Sequence, residues 1–142
     1  MENSRYKFRA WELDTAIIRY GSYVIEDGYY GDNGSPDYNR PVTRYKICED
    51  GYYCEVAPDT VGQYTGLKDK NGVEIYESDL LDFNRTIHGE VKFVNGCFIM
   101  SNEDEEWRKS LAELIINDFG NAVEVIGNIY EDKDKLRWKN LY

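Results

Sequence analysis

The sequence predicts a mainly β protein whose C-terminal part closes into a small barrel, and three observations lead there. Asn71-Gly72 and Asn95-Gly96 lie about twenty residues apart, each between short apolar runs. Asn-Gly suits a type I′ hairpin turn, because both central residues need positive φ and glycine adopts it without steric cost. The flanking runs alternate apolar and polar residues with the period of two that a half-buried strand requires. A single stretch, 103–117, has helical spacing instead. A meander of this length must bury its apolar face, and closing on itself is the economical way to do so.

In chain order, Arg5–Leu13 alternates with Tyr6, Phe8 and Ala10 on one face and reads as a first strand. Asp14-Thr15 turns into Ala16–Ile25, β-branched enough for a second. Asp27–Pro41 holds three glycines and two prolines and reads as a long loop. Val42–Cys48 resumes strand character, Glu49-Asp50-Gly51 turns, and Tyr52–Val56 pairs back. Ala57-Pro58-Asp59 leads into Gln63–Asp82, where Leu67, Val73 and Ile75 flank the first Asn-Gly. Tyr76-Glu77-Ser78-Asp79 is a polar corner, and Leu80-Leu81-Asp82-Phe83 a further strand. Glu90–Val94 and Cys97–Met100 surround the second Asn-Gly.

After Met100, Trp107, Leu111, Leu114 and Ile115 fall at i, i+4, i+7 and i+8, one face of a short amphipathic helix over Glu103–Asn117. Asn102 is its expected cap, with Glu105 completing a variant capping box, and Gly120 its stop. Ala122–Tyr130 is the last strand, and the tail is charged. The organisation expected is an N-terminal β lobe over 1–60 and a barrel part over 61–142, forming one compact unit overall.

The motifs Gln63-Tyr64-Thr65-Gly66-Leu67-Lys68-Asp69-Lys70-Asn71-Gly72 and Glu74-Ile75-Tyr76-Glu77 resemble the hallmark of the YopX family of phage and prophage proteins. Lys7-Phe8-Arg9-Ala10-Trp11 is similar to that family's opening strand, Gly89-Glu90-Val91 with Asn95-Gly96 to its middle hairpin, and Glu124–Glu131 to its closing motif. Two departures stand out. Ser78 occupies a position where the family usually has glycine, so this corner need not take a glycine-only conformation. The tail DKDKLRWKNLY lacks the usual Asn-Pro stop. The resemblance implies an SH3-like barrel in the C-terminal part and a phage or prophage origin. It implies no activity.

Composition narrows the function classes. The 142 residues can bury a sizeable core, and no apolar run is long enough to span a membrane. The N-terminus has no signal-peptide h-region. Cys48, Cys54 and Cys97 are an odd number without ligand spacing, which points to free thiols in a reducing bacterial cytoplasm. Net charge is −10: residues 1–47 carry seven acidic and seven basic side chains, and the remainder twenty acidic and ten basic. That balance opposes generic attraction to phosphate backbones.

No pattern supports a catalytic, cofactor or metal site. The acidic run Glu103–Glu106 is expected to complement a helix N-terminus. Asp69, Asn71 and Gly72 resemble part of a calcium loop, but Leu67 and Ser78 stand where the first and last ligands belong. His88 is the only histidine, and no nucleophile-elbow sequence accompanies it. Zinc lacks ligands, and no phosphate-cradling loop precedes a helix.

The tyrosines remain. Ten of thirteen fall within the first 64 residues, and Tyr29-Tyr30 and Tyr52-Tyr53 must send neighbouring rings to opposite faces if extended. Tyr29, Tyr30, Tyr38, Tyr52 and Tyr53 are therefore the candidate interaction surface, beside a plainer role in sheet packing. The expected function is a non-enzymatic module binding a host or phage protein, or a second copy of itself. The alternatives are a nucleic-acid-associated module using Arg5, Lys7, Arg9, Arg19, Arg40, Arg44 and Lys46, and an enzyme with an unrecognised carboxylate site.

Overall fold

A computed structural model of the chain describes residues 6–29, 40–117, 121–132 and 134–135. They are mainly β-strand, and the chain divides into two compact units at Val61 and Gly62.

The N-terminal unit contains β1 (Phe8–Trp11), β2 (Ile18–Tyr29), β3 (Pro41–Glu49) and β4 (Tyr52–Glu55). They pair antiparallel in the order β4-β3-β2-β1, so β4 ends the sheet. Asp50 (φ 50°) and Gly51 (φ 85°) make the β3–β4 turn with both central residues at positive φ, as a two-residue type I′ hairpin needs. The expected loop over 27–41 is shorter than it reads. β2 runs on through Tyr29 and pairs with Pro41, because Glu26, Asp27 and Gly28 find ladder partners in Arg44, Thr43 and Val42. Residues 30–39 lie outside the described residues. The core here is small: Ala10, Ile47 and Val56, with Phe8, Tyr23, Tyr45 and Val61 packed against them.

The second unit opens with the hairpin of β5 (Gly62–Lys68) and β6 (Glu74–Tyr76). β7 (Asp79–Phe83), β8 (Ile87–Val94), β9 (Cys97–Ser101) and β10 (Arg108–Ser110) then form a meander, and β11 (Val123–Asn128) returns to pair with β7. The sheet order is β10-β9-β8-β7-β11. The expected closed barrel is not formed: among the described residues no ladder joins β10 to β11. Instead α1 (Leu111–Asn117), between those two strands in the chain, covers the core with Leu111 and Leu114. Seven buried apolar side chains (Ile75, Leu81, Val91, Met100, Leu111, Leu114 and Val123) make this core. At about 1.5–3 kcal/mol for each large side chain fully buried, it outweighs the three-residue cluster of the N-terminal unit.

The two Asn-Gly pairs behave differently. Asn95 (φ 51°) and Gly96 (φ 80°) form the expected type I′ turn between Val94 and Cys97. At the first pair only Gly72 (φ 82°) has positive φ, so that turn is not type I′. The Gly72 N–H donates to the Asp69 carbonyl at 3.0 Å, while the Asp69 side chain accepts from the N–H of Asn71 and of Val73. A carboxylate that can receive those donors favours this wider loop over a two-residue reversal.

The helix over 103–117 is likewise corrected. The Asn102 N–H donates to the Trp107 carbonyl at 3.0 Å, and the Asn102 Oδ1 accepts from the Trp107 N–H, also at 3.0 Å. This closes a β9–β10 hairpin in which Ser101 pairs with Arg108. Asn102 therefore closes a loop instead of capping a helix, and Glu105 (φ 61°) breaks helical backbone where a capping box was expected. Only 111–117 is helical; Trp107 reaches the core from the loop and packs on Phe83 at 5.7 Å. Gly120 and most of the tail lie outside the described residues. Ser78 does take the left-handed conformation (φ 72°), so the corner asks for a glycine-like backbone that serine supplies at a cost.

Candidate tyrosine surface

The hairpin register fixes the adjacent tyrosines. Tyr52 faces Glu49 across the ladder and Tyr53 faces Cys48, so their rings leave opposite faces of β4. Tyr52 is 80% exposed and Tyr53 59%. On the Tyr52 face Ile47, Cys54, Glu49 and Arg19 join it around a shallow depression of about 280 Å³. Its chemistry is an apolar floor beside an aromatic ring. The Arg19 guanidinium is already engaged, with Nε and Nη2 donating to Glu12 Oε2 at 3.2 and 3.0 Å. Thr15 and Arg19, hydrogen-bonded to Glu12, hold its carboxyl below the usual carboxylate range, and Glu12 in turn raises Arg19.

The other tyrosines divide by burial. Tyr23 packs on Phe8 at 5.8 Å and stacks on Tyr45 at 6.5 Å, and burial pushes its phenol above the usual range. Tyr64 and Tyr76 are buried together, ring centres 5.4 Å apart. These four serve packing. Of the candidate surface, Tyr29 lies at the end of β2, and its side chain is outside the described set; Tyr30 and Tyr38 lie outside the described residues altogether. Tyr6 and Tyr20 are also exposed, although the pairing argument does not single them out.

The cations of the N-terminal half are less available than the sequence suggests. Arg9 is only 5% exposed and lies 5.5 Å from the Trp11 ring centre. Arg19 is tied to Glu12, and Lys46 to Glu26 at 3.0 Å. Arg5 falls outside the described residues.

His88 on β8 is engaged at both ring nitrogens: Nε2 lies 3.1 Å from Asp82 Oδ1, and Nδ1 2.9 Å from the Lys135 carbonyl. No hydroxyl or thiol is placed at either nitrogen by these contacts. The acids 103–106 occupy the exposed β9–β10 loop, so the helix-terminus account of them does not hold; Glu105 meets Lys92 at 3.4 Å. Among the described residues no group of three or more acidic, histidine or cysteine side chains is placed to hold a metal. All three cysteines are free thiols.

The residue that sequence reasoning undervalued is Asp69. It is 6% exposed, and its Oδ1 accepts from Asn71 and Val73 while Oδ2 accepts from the Val125 N–H on β11 at 2.9 Å. Both oxygens are engaged by backbone donors. An aspartate two residues ahead of Asn-Gly is an Asx-turn signal, and that half of its role was legible. The bond to Val125, fifty-six residues away, was not.

With this geometry in hand, residues 7–137 match the family model described as YopX protein. Among solved structures, the chain is similar to protein EF1440 from Enterococcus faecalis at 25% identity and a TM-score of 0.52, over 92% of this chain and 96% of that one. Comparison with curated proteins returns no match.

Proposed function

The chain belongs to the YopX family, and from that premise we propose that it is a non-enzymatic accessory protein of a phage or prophage. In this reading it works in the bacterial cytoplasm and binds a host or phage protein, with self-association as one form of that activity. What carries the reading is the pair Tyr52 and Tyr53: large, exposed rings on a sheet-end strand, one of them beside a shallow apolar depression. Tyrosines so placed give much contact area at low entropy cost. Binding goes through side chains more than through strand addition, because the Glu55 end of β4 is already engaged. The Leu13 N–H donates to the Glu55 carbonyl at 3.0 Å, and Glu12 bridges Val56.

The finer description of the second unit as SH3-like rests on strand order: a four-strand meander, a helical turn, and a last strand returning beside the first. The nucleic-acid alternative is weakened by the engaged cations Arg9, Arg19 and Lys46. An enzymatic alternative would need convergent acid–base groups in a pocket. Two depressions among the described residues, of about 280 and 390 Å³, are lined by Arg19, Ile47, Glu49, Tyr52 and Cys54, and by Val94, Asn95, Ile99 and Arg108–Ser110, and neither holds His88 or a pair of carboxylates.

The test is affinity capture from host cells with the wild type and with a Tyr52→Ser/Tyr53→Ser variant, alongside sedimentation of each. A protein partner, or a dimer, held by the wild type and weakened at least about 30-fold in an equally stable variant is expected, since hot-spot tyrosines cost about 2 kcal/mol or more. Retention unaffected by the two substitutions refutes the surface. Binding to DNA or RNA that falls steeply with salt would favour the alternative module.

A further inference from the structure

We propose that His88 is a pH-sensitive tie that holds the Lys135 carbonyl to the five-stranded sheet. The observation is that both ring nitrogens face acceptors: Asp82 Oδ1 at 3.1 Å and the Lys135 carbonyl at 2.9 Å. Both bonds form only when both nitrogens carry hydrogen. A neutral imidazole has one N–H and one lone pair, so one of its two contacts sets a lone pair against an oxygen. The Asp82 contact lies within the sheet, between paired strands (Asp82 opposite His88 in the β7–β8 ladder). The Asp82 contact is made to a carboxylate and the Lys135 contact to a neutral carbonyl, so the weaker Lys135 contact is the one released.

The charges around the ring act in the same direction. Across the sheet His88 is followed by Asp82 and then by Glu124 on β11, which pairs with Asp82 in the ladder. Glu124 in turn meets Lys70 at 3.3 Å. Two carboxylates directly opposite repel, and the cationic ring beside Asp82 offsets that repulsion. Glu90 lies two residues along β8. In the C-terminal turn the Lys135 Nζ lies 3.3 Å from Asp132 Oδ1 and donates to the Ile126 carbonyl at 2.6 Å. The preceding residues are held independently of the histidine: Asn128 Oδ1 accepts from the N–H of Tyr130 and of Glu131, and the Asp132 N–H donates to the Asn128 carbonyl. The Lys135 N–H likewise donates to the Asp132 carbonyl at 2.8 Å, so the release frees the Lys135 carbonyl alone.

The experiment is heteronuclear NMR on the full chain between about pH 5 and 8, where histidine side chains change charge. It follows the His88 ring nitrogens together with the backbone amides of Tyr130–Lys135. Expected is a ring protonated on both nitrogens at the low end, and Asp134 and Lys135 signals that move with the same midpoint. In His88→Gln the linked movement disappears. Lys135 signals that stay fixed while the ring titrates, a ring that does not titrate in this range, or equal movement in His88→Gln each overturn the tie. Should His88→Gln fail to fold, the agreement of the two wild-type midpoints decides.

Discussion

Replacing Asp69 by alanine tests the joint between the hallmark turn and the last strand. The carboxylate accepts three backbone N–H groups, at 2.8 Å from Asn71 and 2.9 Å from Val73 and from Val125. A hydrogen bond to a charged acceptor contributes about 1.5–3 kcal/mol, so three of them set an upper bound near 4.5–9 kcal/mol. Asn71 and Val73 are exposed, so their freed N–H groups can turn to water and most of that cost is recovered there. Val125 is half-buried and paired in the β7–β11 ladder, and its donor loses more. The expected loss is about 3 kcal/mol, or near 2 M in a urea midpoint at a slope of about 1.5 kcal/mol/M. Asp69→Asn should cost less, about 1.5–2 kcal/mol: one carbonyl oxygen survives, but the amide NH₂ meets a backbone donor. Hydrogen exchange at Val125 gives the local readout. A loss below about 1 kcal/mol in Asp69→Ala, or unchanged protection of the Val125 amide, refutes the reasoning.

Two further outcomes follow from backbone and burial. Ser78 sits at φ 72°, a conformation costing a non-glycine residue about 1–2 kcal/mol, whereas glycine gives back about 0.5–1 kcal/mol in unfolded-chain entropy. Ser78→Gly should therefore raise stability by about 0.5–1 kcal/mol, and a lowered melting temperature would contradict the strain. Tyr23 has its phenol raised first by burial and then by Tyr45. The unfolded chain then releases that proton before the folded one does, so this contribution is intact below about pH 10 and declines as pH rises above it. Urea unfolding at neutral and alkaline pH should show a steeper alkaline loss in the wild type than in Tyr23→Phe; equal slopes would contradict the assignment.

Reversals that two residues can make were legible in the chain. Asp50-Gly51 and Asn95-Gly96 need only their own positive φ, and the strands on either side pair as the alternation requires. The same dipeptide at Asn71-Gly72 did otherwise, since Asp69 beside it and β11 far from it offered a better set of hydrogen bonds. Residues 103–110 misled for a related reason. Trp107, Leu111, Leu114 and Ile115 do share a core, but spacing alone does not say that Trp107 arrives there from a hairpin loop closed by Asn102. At the candidate surface, the opposite facing of Tyr52 and Tyr53 was a consequence of strand geometry. Which tyrosines stay exposed, and which cations are already spoken for, depended on partners distant in the chain.

Local stereochemistry thus fixed the β class, the hairpin at Asn95-Gly96 and the facing of the tyrosine pair, because each depends on φ preferences or on a period of two within a few residues. Sheet order, the open edge between β10 and β11, the Asp69–Val125 bond and the double engagement of His88 were settled in the folded chain. They depend on groups brought together by packing across tens of residues, and no local preference encodes such a meeting.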